Sequence, residues 1–351
     1  MRAETVRAAS AAATACAAAI LAAAIFLPDA ARADAVADFY RGKTITLAVS
    51  TSAGGDYDQR ARLLARHMPG HLPGTPTIIV QNMPGAGGMK AMNWLYNVAP
   101  KDGTQLASPN QQMPLSQAFG TKGVEFDLTR CAWIGNTMSS PIVLVSWHDA
   151  PVKRMEDAFT NEMVVGGTGA GSASVQFPLM LNALLGTKFK VISGYPGGTE
   201  IYLAMERGEV HGRATQNWAG WVAQKPDWIR DRTINLLAQG GTKRLPELKD
   251  VPLIVDYAKD AEARQVIELF LSPDDIARPI IGGPNLPGDR VQALRAAFDA
   301  TMTDAGFLAD AKRSSIDIIP TSGADAETRL KQILSAPKSV VEKAKMFGEG
   351  G

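Results

Sequence analysis

The feature that most constrains the fold of this chain is a pattern that occurs four times. A short strand-like run is followed by a glycine-containing loop and then by a helical spacing of apolar residues. The four copies are "KTITLAVSTSAGGDYDQRARLLARHM", "PTIIVQNMPGAGGMKAMNWLY", "NEMVVGGTGAGSASVQFPLMLNALLG" and "KFKVISGYPGGTEIYLAMERGEV". Strand runs that alternate with helical periods indicate βα units and a parallel sheet. The sequence therefore predicts an α/β fold.

The four copies are arranged as two pairs. Between the pairs lie "TQLASPNQQM" and "PIVLVSW", whose composition predicts further strands. Two such pairs indicate two α/β lobes of similar plan. In open parallel sheets, ligands bind beyond the carboxyl ends of the strands, which is where the glycine loops lie. Two lobes with facing loops would therefore enclose a ligand cleft.

The rest of the chain extends this plan. After the second pair, "ARPIIGG" predicts a strand, and helical periods begin near Asp289 and Ala324. We expect "PIVLVSW" and "ARPIIGG" to link the lobes, and the tail to belong to the first lobe. The predicted organisation is 1–33 as a signal peptide, 34–140 together with 271–351 as lobe 1, and 141–270 as lobe 2.

The N-terminus has the three parts of a secretory signal. Arg2 and Arg7 precede an apolar run at 11–27, and "ARA" at 31–33 fits an A-x-A cleavage site. The alternative is a membrane anchor, for which the run is shorter than the roughly 20 residues that a spanning helix needs. The sequence therefore predicts a periplasmic protein with its signal peptide cleaved near Ala33.

Composition excludes some partners. Removal of residues 1–33 leaves 33 basic and 33 acidic residues, so no basic face for nucleic acid is indicated. Only Cys131 of the two cysteines remains, and no internal disulfide is predicted. A chain of this length can bury a sufficient core without disulfides, so export remains compatible with this count. We expect a monomer.

Motifs for catalysis, cofactors and metals do not match. "GTGAGS" at 167–172 lacks the third glycine and the later acidic residue of a dinucleotide fingerprint, and no phosphate-binding P-loop or G-x-S-x-G motif occurs. His67 and His71 are spaced for a zinc helix, but Pro69 between them would break that helix. The sequence predicts a protein without catalytic residues, cofactor or metal.

The glycine loops instead suit an anion. Each loop precedes a helix N-terminus, where about four backbone N–H groups lack helical partners and the dipole is positive. Hydroxyl groups and closely approaching glycines complete a site for a small carboxylate. The candidate ligand-binding residues are Ser52, Ala53, Gly54, Gly55 and Asp56 in the first loop, Thr168, Gly169, Ala170, Gly171 and Ser172 in the third, and Gly197, Gly198 and Thr199 in the fourth.

A structural interpretation of the same residues stays open. Serine, threonine and aspartate before helices are commonly N-caps, and glycine in βα loops commonly serves the turn. Asp56 could be an N-cap or could receive a ligand amine. Because the loops contain no arginine or lysine apart from Lys90, just past the second loop, we expect backbone dipoles to meet the ligand charge.

Two further segments have open roles. We expect "NMPGAGG" in the second loop to be a turn at the rim or back of the cleft, with Asn82 and Gly85 not in direct contact with the ligand. Trp218, Trp221 and Trp228 follow the fourth unit, and their grouping is typical of a core or of the packing between lobes. If Trp218 lined the cleft, an aromatic or bulky acid would be favoured as the ligand.

As an ordered set, these segments resemble the Bug family, the extracytoplasmic substrate-binding proteins of tripartite tricarboxylate transporters. The resemblance covers the mature chain and rests on the first, third and fourth glycine loops together with "IIVQNMPGAGG", "PKDGT" and "FDLTRCAWIG". It implies a type II periplasmic-binding-protein (Venus-flytrap) architecture that closes on its ligand without catalysis.

The resemblance also implies which residues bind the ligand. Family members typically hold a carboxylate through backbone amides and hydroxyls of two facing loops, which match Ser52–Asp56 and Thr168–Ser172, with Tyr195–Thr199 at the edge of the cleft. Many members have a histidine three residues beyond the second-lobe serine, where this chain has Val175. The run "GRATQNWAG" is a second departure from the family pattern.

The function implied is capture of a small organic acid by lobe closure and its delivery to membrane permease subunits. Three alternatives remain open from the sequence. The same cleft would serve a sensory protein that docks to a receptor, or an exported hydrolase. A binding protein of another transporter type could take an uncharged or cationic ligand, for which the loops offer only Asp56 and Tyr57.

Overall fold

The structure is a computed structural model that describes residues 29–170, 172–241 and 243–348. In chain order, its strands are β1 Thr44–Val49, β2 Thr77–Asn82, β3 Gln105–Ser108, β4 Cys131–Asn136, β5 Val143–Trp147, β6 Met163–Gly166, β7 Phe189–Ile192, β8 Gly212–Arg213, β9 Ile234–Gln239, β10 Pro279–Pro284 and β11 Thr321–Ser322. Its α-helices are α1 Asp29–Tyr40, α2 Asp56–His67, α3 Met89–Asn93, α4 Met113–Phe119, α5 Ala173–Leu185, α6 Gly198–Glu206, α7 Trp218–Gln224, α8 Pro226–Arg230, α9 Ala261–Leu271, α10 Gly288–Thr303, α11 Ala305–Arg313, α12 Gly323–Leu334 and α13 Lys338–Gly348.

The strands form two separate sheets. The first has six strands in the order β11-β4-β10-β3-β1-β2, and the second has five in the order β7-β6-β8-β5-β9. In each sheet, the strands of the glycine-loop units are parallel: β1 pairs with β2, and β6 pairs with β7. The four predicted βα units are confirmed, and the two sheets confirm the α/β fold.

Both sheets are mixed, because each also contains antiparallel pairs. In the first sheet, β10 is antiparallel to β3 and β4, and in the second sheet β5 is antiparallel to β8 and β9. Both β5 and β10 enter their sheet directly from the other lobe. A strand that enters from the other lobe runs antiparallel to its neighbours in the sheet. A strand that follows a crossover helix within the same lobe is parallel to the strand before that helix.

Two chain segments connect the sheets and lie side by side. They are residues 137–142, between β4 and β5, and residues 272–278, before β10. The amide of Thr137 donates to the carbonyl of Arg278 at 3.1 Å, and the amide of Ala277 donates to the carbonyl of Met138 at 3.2 Å. The predicted linking strands thus begin directly after the two crossover segments.

Asp274 is a buried carboxyl group within this junction. Its Oδ1 accepts a hydrogen bond from Nε2 of Gln111 at 2.7 Å, and its Oδ2 accepts one from the amide of Ile142 at 3.2 Å. Burial raises the pKa of Asp274 to about 8. At neutral pH this carboxyl therefore contributes much less than a full negative charge to its surroundings.

One hydrophobic cluster joins the lobes. The Phe270 ring on α9 lies 5.4 Å, centroid to centroid, from Phe119 on α4 of the first lobe and 6.5 Å from Phe177 on α5 of the second. All three rings are buried in the same cluster. Because apolar burial is the main stabilising term in folding, this cluster holds the two lobes in one structure.

The tail divides between the lobes. The helix α12 packs against β4 and α4 of the first lobe, whereas α13 packs against α5 and α9 of the second lobe as well as against α4. Val340 and Ala344 on α13 are buried in the cluster that joins the lobes. Because α13 contacts both lobes, the predicted lobe boundaries, including the assignment of the whole tail to lobe 1, stay a prediction.

The predicted signal peptide lies largely outside the described residues, which begin at Asp29. The helix α1 runs through the predicted cleavage point after Ala33, so cleavage stays a prediction. Within the described part of the chain, none of the helices combines the length and apolarity needed to span a bilayer.

Replacement of Phe270 by alanine should lower the free energy of unfolding by about 3–5 kcal/mol, because it leaves a cavity between Phe119 and Phe177. Urea denaturation followed by tryptophan fluorescence would measure the change. Val98→Ala is the matched control, since Val98 is 72% exposed and should change stability by less than about 0.5 kcal/mol. Equal changes in the two variants would contradict the central role of this cluster.

Candidate ligand-binding site

A cavity of about 380 Å³ lies between the two lobes. The loops that follow β1, β2 and β3 contribute to it from the first lobe, and those that follow β6, β7 and β8 contribute from the second. Arg278, at the end of a crossover segment, completes its wall. The cavity is thus at the carboxyl ends of the parallel strands, where the topology rule for such sheets places ligands.

The first loop supplies two of its predicted residues to the cavity. Gly55 and Asp56 line it, together with Ser50 and Thr51, which directly follow β1. Ser52, Ala53 and Gly54 do not line it. Gly54 instead turns the loop with a φ of 82°, and its amide donates to Asp58 Oδ2 at 2.8 Å.

Ser52 connects the lobes instead of facing the cavity. Its hydroxyl donates to Oε2 of Glu200 on α6 at 3.0 Å, across the gap between the lobes. Gly197 lies against the same hydroxyl, since an added Cβ there would be 2.3 Å from Ser52 Oγ. Thr199 lines a smaller adjoining cavity, not the main one. Of the predicted residues in the fourth loop, only Gly198 lines the main cavity.

The third loop supplies Thr168 and, beyond the predicted set, Ser174. Ser172 is buried, with its hydroxyl 2.8 Å from that of Ser174. Ser174 Oγ also accepts a hydrogen bond from the amide of Thr168 at 3.0 Å, which fixes the loop. Ala170 is exposed, and Gly171 lies outside the described residues.

The second glycine loop lines the cavity more fully than expected. Residues 84–88 all contribute to its wall. Gly87 contacts Gly169 of the second lobe so closely that a Cβ on Gly169 would lie 2.5 Å from the Gly87 nitrogen. Asn82 does not line the cavity; its amide group donates to Asp58 and to the carbonyl of Thr51. This loop is therefore part of the wall and also a contact between lobes.

Two arginines lie in the wall, in addition to the backbone dipoles that were expected to meet most of the ligand charge. Arg213 is the second residue of β8, within "GRATQNWAG", and Arg278 precedes β10. Neither lies in a glycine loop, so a search confined to those loops could not find them. The same run also brings Gln216 and Asn217 to the cavity.

Asp56 is the anchor of Arg278. Its Oδ2 accepts a hydrogen bond from Nε of Arg278 at 2.5 Å, and its Oδ1 accepts one from Nε of Arg60 at 2.8 Å. Burial alone would raise the pKa of the Asp56 carboxyl, but the two guanidinium groups outweigh burial and lower it to about 2. Both carboxylate oxygens are thus engaged, and Asp56 is not available to receive a ligand amine.

Five of the residues that line the cavity each carry a buried polar side-chain atom with no hydrogen-bond partner among the described residues. The atoms are Ser50 Oγ, Thr51 Oγ1, Arg213 Nη1, Gln216 Nε2 and Gln224 Nε2. Buried polar groups are normally paired, because an unsatisfied group costs about 1–3 kcal/mol. Two of the atoms come from the first lobe and three from the second, which is the arrangement expected for a ligand bound between the lobes.

The tryptophans and the spaced histidines lie away from the cavity. Trp218 is buried in a separate cluster with Trp221 and Trp228, so it does not provide an aromatic wall. His67 lies 3.1 Å from a carboxylate oxygen of Asp310 and links α2 to α11. Across the described residues, no group of three or more histidine, cysteine, aspartate or glutamate residues is placed to hold a metal ion.

A family model described as "Tripartite tricarboxylate transporter family receptor" matches residues 61–326. The chain belongs to this family. This match, together with the solved structure of BugD described below, confirms the resemblance to the Bug family. Because this family consists of transporter receptors, the chain is a substrate-binding protein and not an enzyme, as the sequence predicted.

Individual relatives support this assignment. The chain is 31% identical over 231 residues to the UPF0065 protein in the gbd 5′ region of Cupriavidus necator, which is 63% of this chain and 66% of that protein. It therefore spans just under two thirds of that relative's length.

Solved structures of this receptor family share the fold. The periplasmic binding protein BugD matches 88% of this chain and 99% of its own, with a TM-score of 0.70 and 19% identity. MatC from Rhodopseudomonas palustris, solved with bound malate, matches 85% and 99%, with a TM-score of 0.68 and 19% identity. With its two sheets, the receptor therefore has the two-lobed architecture of periplasmic binding proteins.

Replacement of Asp56 by asparagine should destabilise the receptor by about 3–5 kcal/mol at pH 7, because two buried guanidinium groups lose their counter-charge. The folded pKa of Asp56 lies below the value of about 3.9 in unfolded chains, so its contribution is present above about pH 4 and is lost as the pH falls toward 2. The difference from wild type should shrink over that range.

Urea titrations at pH 7 and at pH 3 would measure both effects. Asp38→Asn is the control, because the Asp38 side chain is 69% exposed although it also pairs with an arginine. A change in Asp56→Asn no larger than in this control would contradict the anchoring role.

Proposed function

We propose that this receptor captures a small organic acid in the periplasm by lobe closure and delivers it to a tripartite tricarboxylate-type permease. The observation that carries the proposal is a set of residues that line one cavity from both lobes and carry unpartnered polar atoms, namely Ser50, Thr51, Arg213, Gln216 and Gln224. All five atoms are hydroxyl oxygens or nitrogens that carry N–H donors, and an anion accepts hydrogen bonds from such groups.

Helix N-termini add to the attraction for an anion. The cavity wall includes Asp56, Ala173 and Gly198, the first residues of α2, α5 and α6. Free backbone N–H groups and the positive end of the helix dipole favour a carboxylate at such positions. The malate bound to MatC supports the same ligand class, since malate is a small carboxylate and MatC shares the fold.

Among the predicted residues, we propose Gly55, Asp56, Thr168 and Gly198 as part of the ligand-binding wall. The other predicted residues shape the loops of the site or form contacts between the lobes. Ser52 and Gly197 meet at one contact between the lobes, and Gly169 forms another with Gly87. Ser172 fixes Ser174, while Ala53, Gly54, Ala170 and Thr199 shape the loops; Gly171 is proposed from the sequence alone.

Closure follows from these contacts. A ligand that touches both lobes gains its full set of interactions only when the lobes are together, so binding shifts the population toward the closed form. The receptor would then present one closed surface to the permease. We propose that it acts as a monomer, because each chain contains both halves of the cavity.

A thermal-shift screen with acids and their amides would test the ligand class. An acid at about a thousand times its dissociation constant should raise the free energy of unfolding by about 4 kcal/mol. The matching amide should give a much smaller shift. Stabilisation by amides or by cations, with none of the acids active, would contradict the proposed function.

Ser52→Ala should weaken acid binding about fivefold, because the closed form loses one hydrogen bond worth about 1 kcal/mol. Titration calorimetry would measure the affinity, and stopped-flow fluorescence should assign the change to faster release. Ser335→Ala is the control, since Ser335 bonds only within its own segment. Unchanged release in Ser52→Ala would show that the Glu200 contact does not stabilise closure.

A further inference from the structure

Arg213 is a partly buried cation that forms no salt bridge among the described residues, and its Nη1 atom is buried. Its Nε donates to the carbonyl of Thr215 at 3.0 Å, and its Nη1 has no partner among the described residues. The guanidinium lies 5.4 Å from the centroid of the Tyr202 ring. It also lies against Gly198, where an added Cβ would be 2.6 Å from Nη1. Glycine at 198 therefore leaves the space that the guanidinium occupies.

Arg278 faces the same cavity from the first lobe. Besides Asp56, it contacts Gln111 Oε1 through Nη1 at 2.7 Å, and its guanidinium stacks 4.0 Å from the centroid of the Tyr57 ring. Its hydrogen bonds within the described residues all use Nε and Nη1. The second terminal nitrogen, Nη2, is therefore available to donate a hydrogen bond to a ligand in the cavity.

The charges around these two groups do not balance. Arg60, Arg278 and Arg213 supply three positive charges, and Asp56 is the ionised carboxylate between the first two. Asp274 is held mainly protonated at neutral pH by burial, which raises its pKa to about 8. Burial lowers the pKa of Arg213, and the charge of Arg278 lowers it further. A partly buried guanidinium without a counter-charge is costly, so an anion in the cavity would be favourable beside this wall.

We propose that Arg213 and Arg278, here called the arginine pair, receive one carboxylate of the ligand and make lobe closure depend on its negative charge. Arg213 belongs to the sheet of the second lobe, whereas Arg278 is fixed by Asp56 and Tyr57 of the first. Closure therefore brings two cations to one cavity wall. Repulsion between the two guanidinium groups opposes closure of the empty receptor. A carboxylate between them attracts both groups and so favours closure.

The ligand class follows from this geometry. A carboxylate has two oxygens and can accept charge-assisted hydrogen bonds from two guanidinium groups at once. A carboxamide has the same shape but no charge, so it leaves the repulsion in place. The receptor would then select acids over amides during lobe closure, and not only through the contacts that the ligand makes with the open form. This inference rests on the proposed function and refines it.

The test compares wild type with Arg213→Gln. Titration calorimetry would use butyrate, succinate, adipate and benzoate, each with its amide. Arg213→Gln should weaken the acid that binds wild type by about 10- to 100-fold, the loss of one charged hydrogen-bond donor, while changing amide affinity by less than about threefold. Arg207→Gln is the control, since Arg207 is on the same lobe and its side chain is 58% exposed.

Small-angle scattering adds a measurement that a merely structural role would not change. Saturating acid should compact the wild type, whereas saturating amide should leave it extended. Ligand-free Arg213→Gln should be more compact than ligand-free wild type, because one of the two repelling charges is gone. Arg213→Lys should retain acid selectivity in part, since it keeps the charge but loses the planar two-donor geometry.

The outcomes are separable. If Arg213→Gln lost acid and amide affinity equally, so that their ratio stayed unchanged, the role of the arginine pair would be overturned. Acid binding to the wild type would still support the proposed function. Full compaction of the wild type by an amide would overturn the role of the arginine pair, whatever the variants showed. Binding of none of the acids by wild type would contradict the proposed function itself, and with it this inference.

Discussion

The carboxylate of Asp56, held between Arg60 and Arg278, is the interaction on which the site depends. It joins the first turn of α2 to the segment that returns from the second lobe, 222 residues along the chain. That charge offsets the cost of burying both arginines, because desolvation of an unpaired guanidinium costs several kcal/mol. The same interaction positions Arg278 on the Tyr57 ring, and so it sets the orientation of the cavity wall.

Local features of the sequence predicted the units of the fold. The glycine loop before Asp56 and the acidic residues at 56 and 58 are typical helix-start signals, and α2 begins at Asp56. Strand runs and apolar periods located the βα units, and a general rule of parallel sheets then predicted a cleft at their loops. The direction of β5 and β10 could not be predicted in this way, because it depends on which lobe the chain leaves.

The site was predictable only in part, for the same reason. Gly55, Asp56, Thr168 and Gly198 line the cavity because they belong to loops whose position follows from topology. Ser52 was expected to face the ligand, but its partner is Glu200, and a contact between lobes leaves no local pattern. Arg213 lies on a two-residue strand that is not part of any of the four glycine-loop units. Its importance becomes visible only when the charges around it are compared in three dimensions.

The division of the tail between the lobes has a mechanical consequence. Besides the two crossover segments, the short link between α12 and α13 is a third connection, since α12 packs on the first lobe and α13 on the second. Bodies joined at two points side by side can still twist against each other, but a third connection resists this twist. A third connection of this kind would restrict the relative motion of the two lobes mainly to bending, so that closure would return the same loop residues to the same contacts.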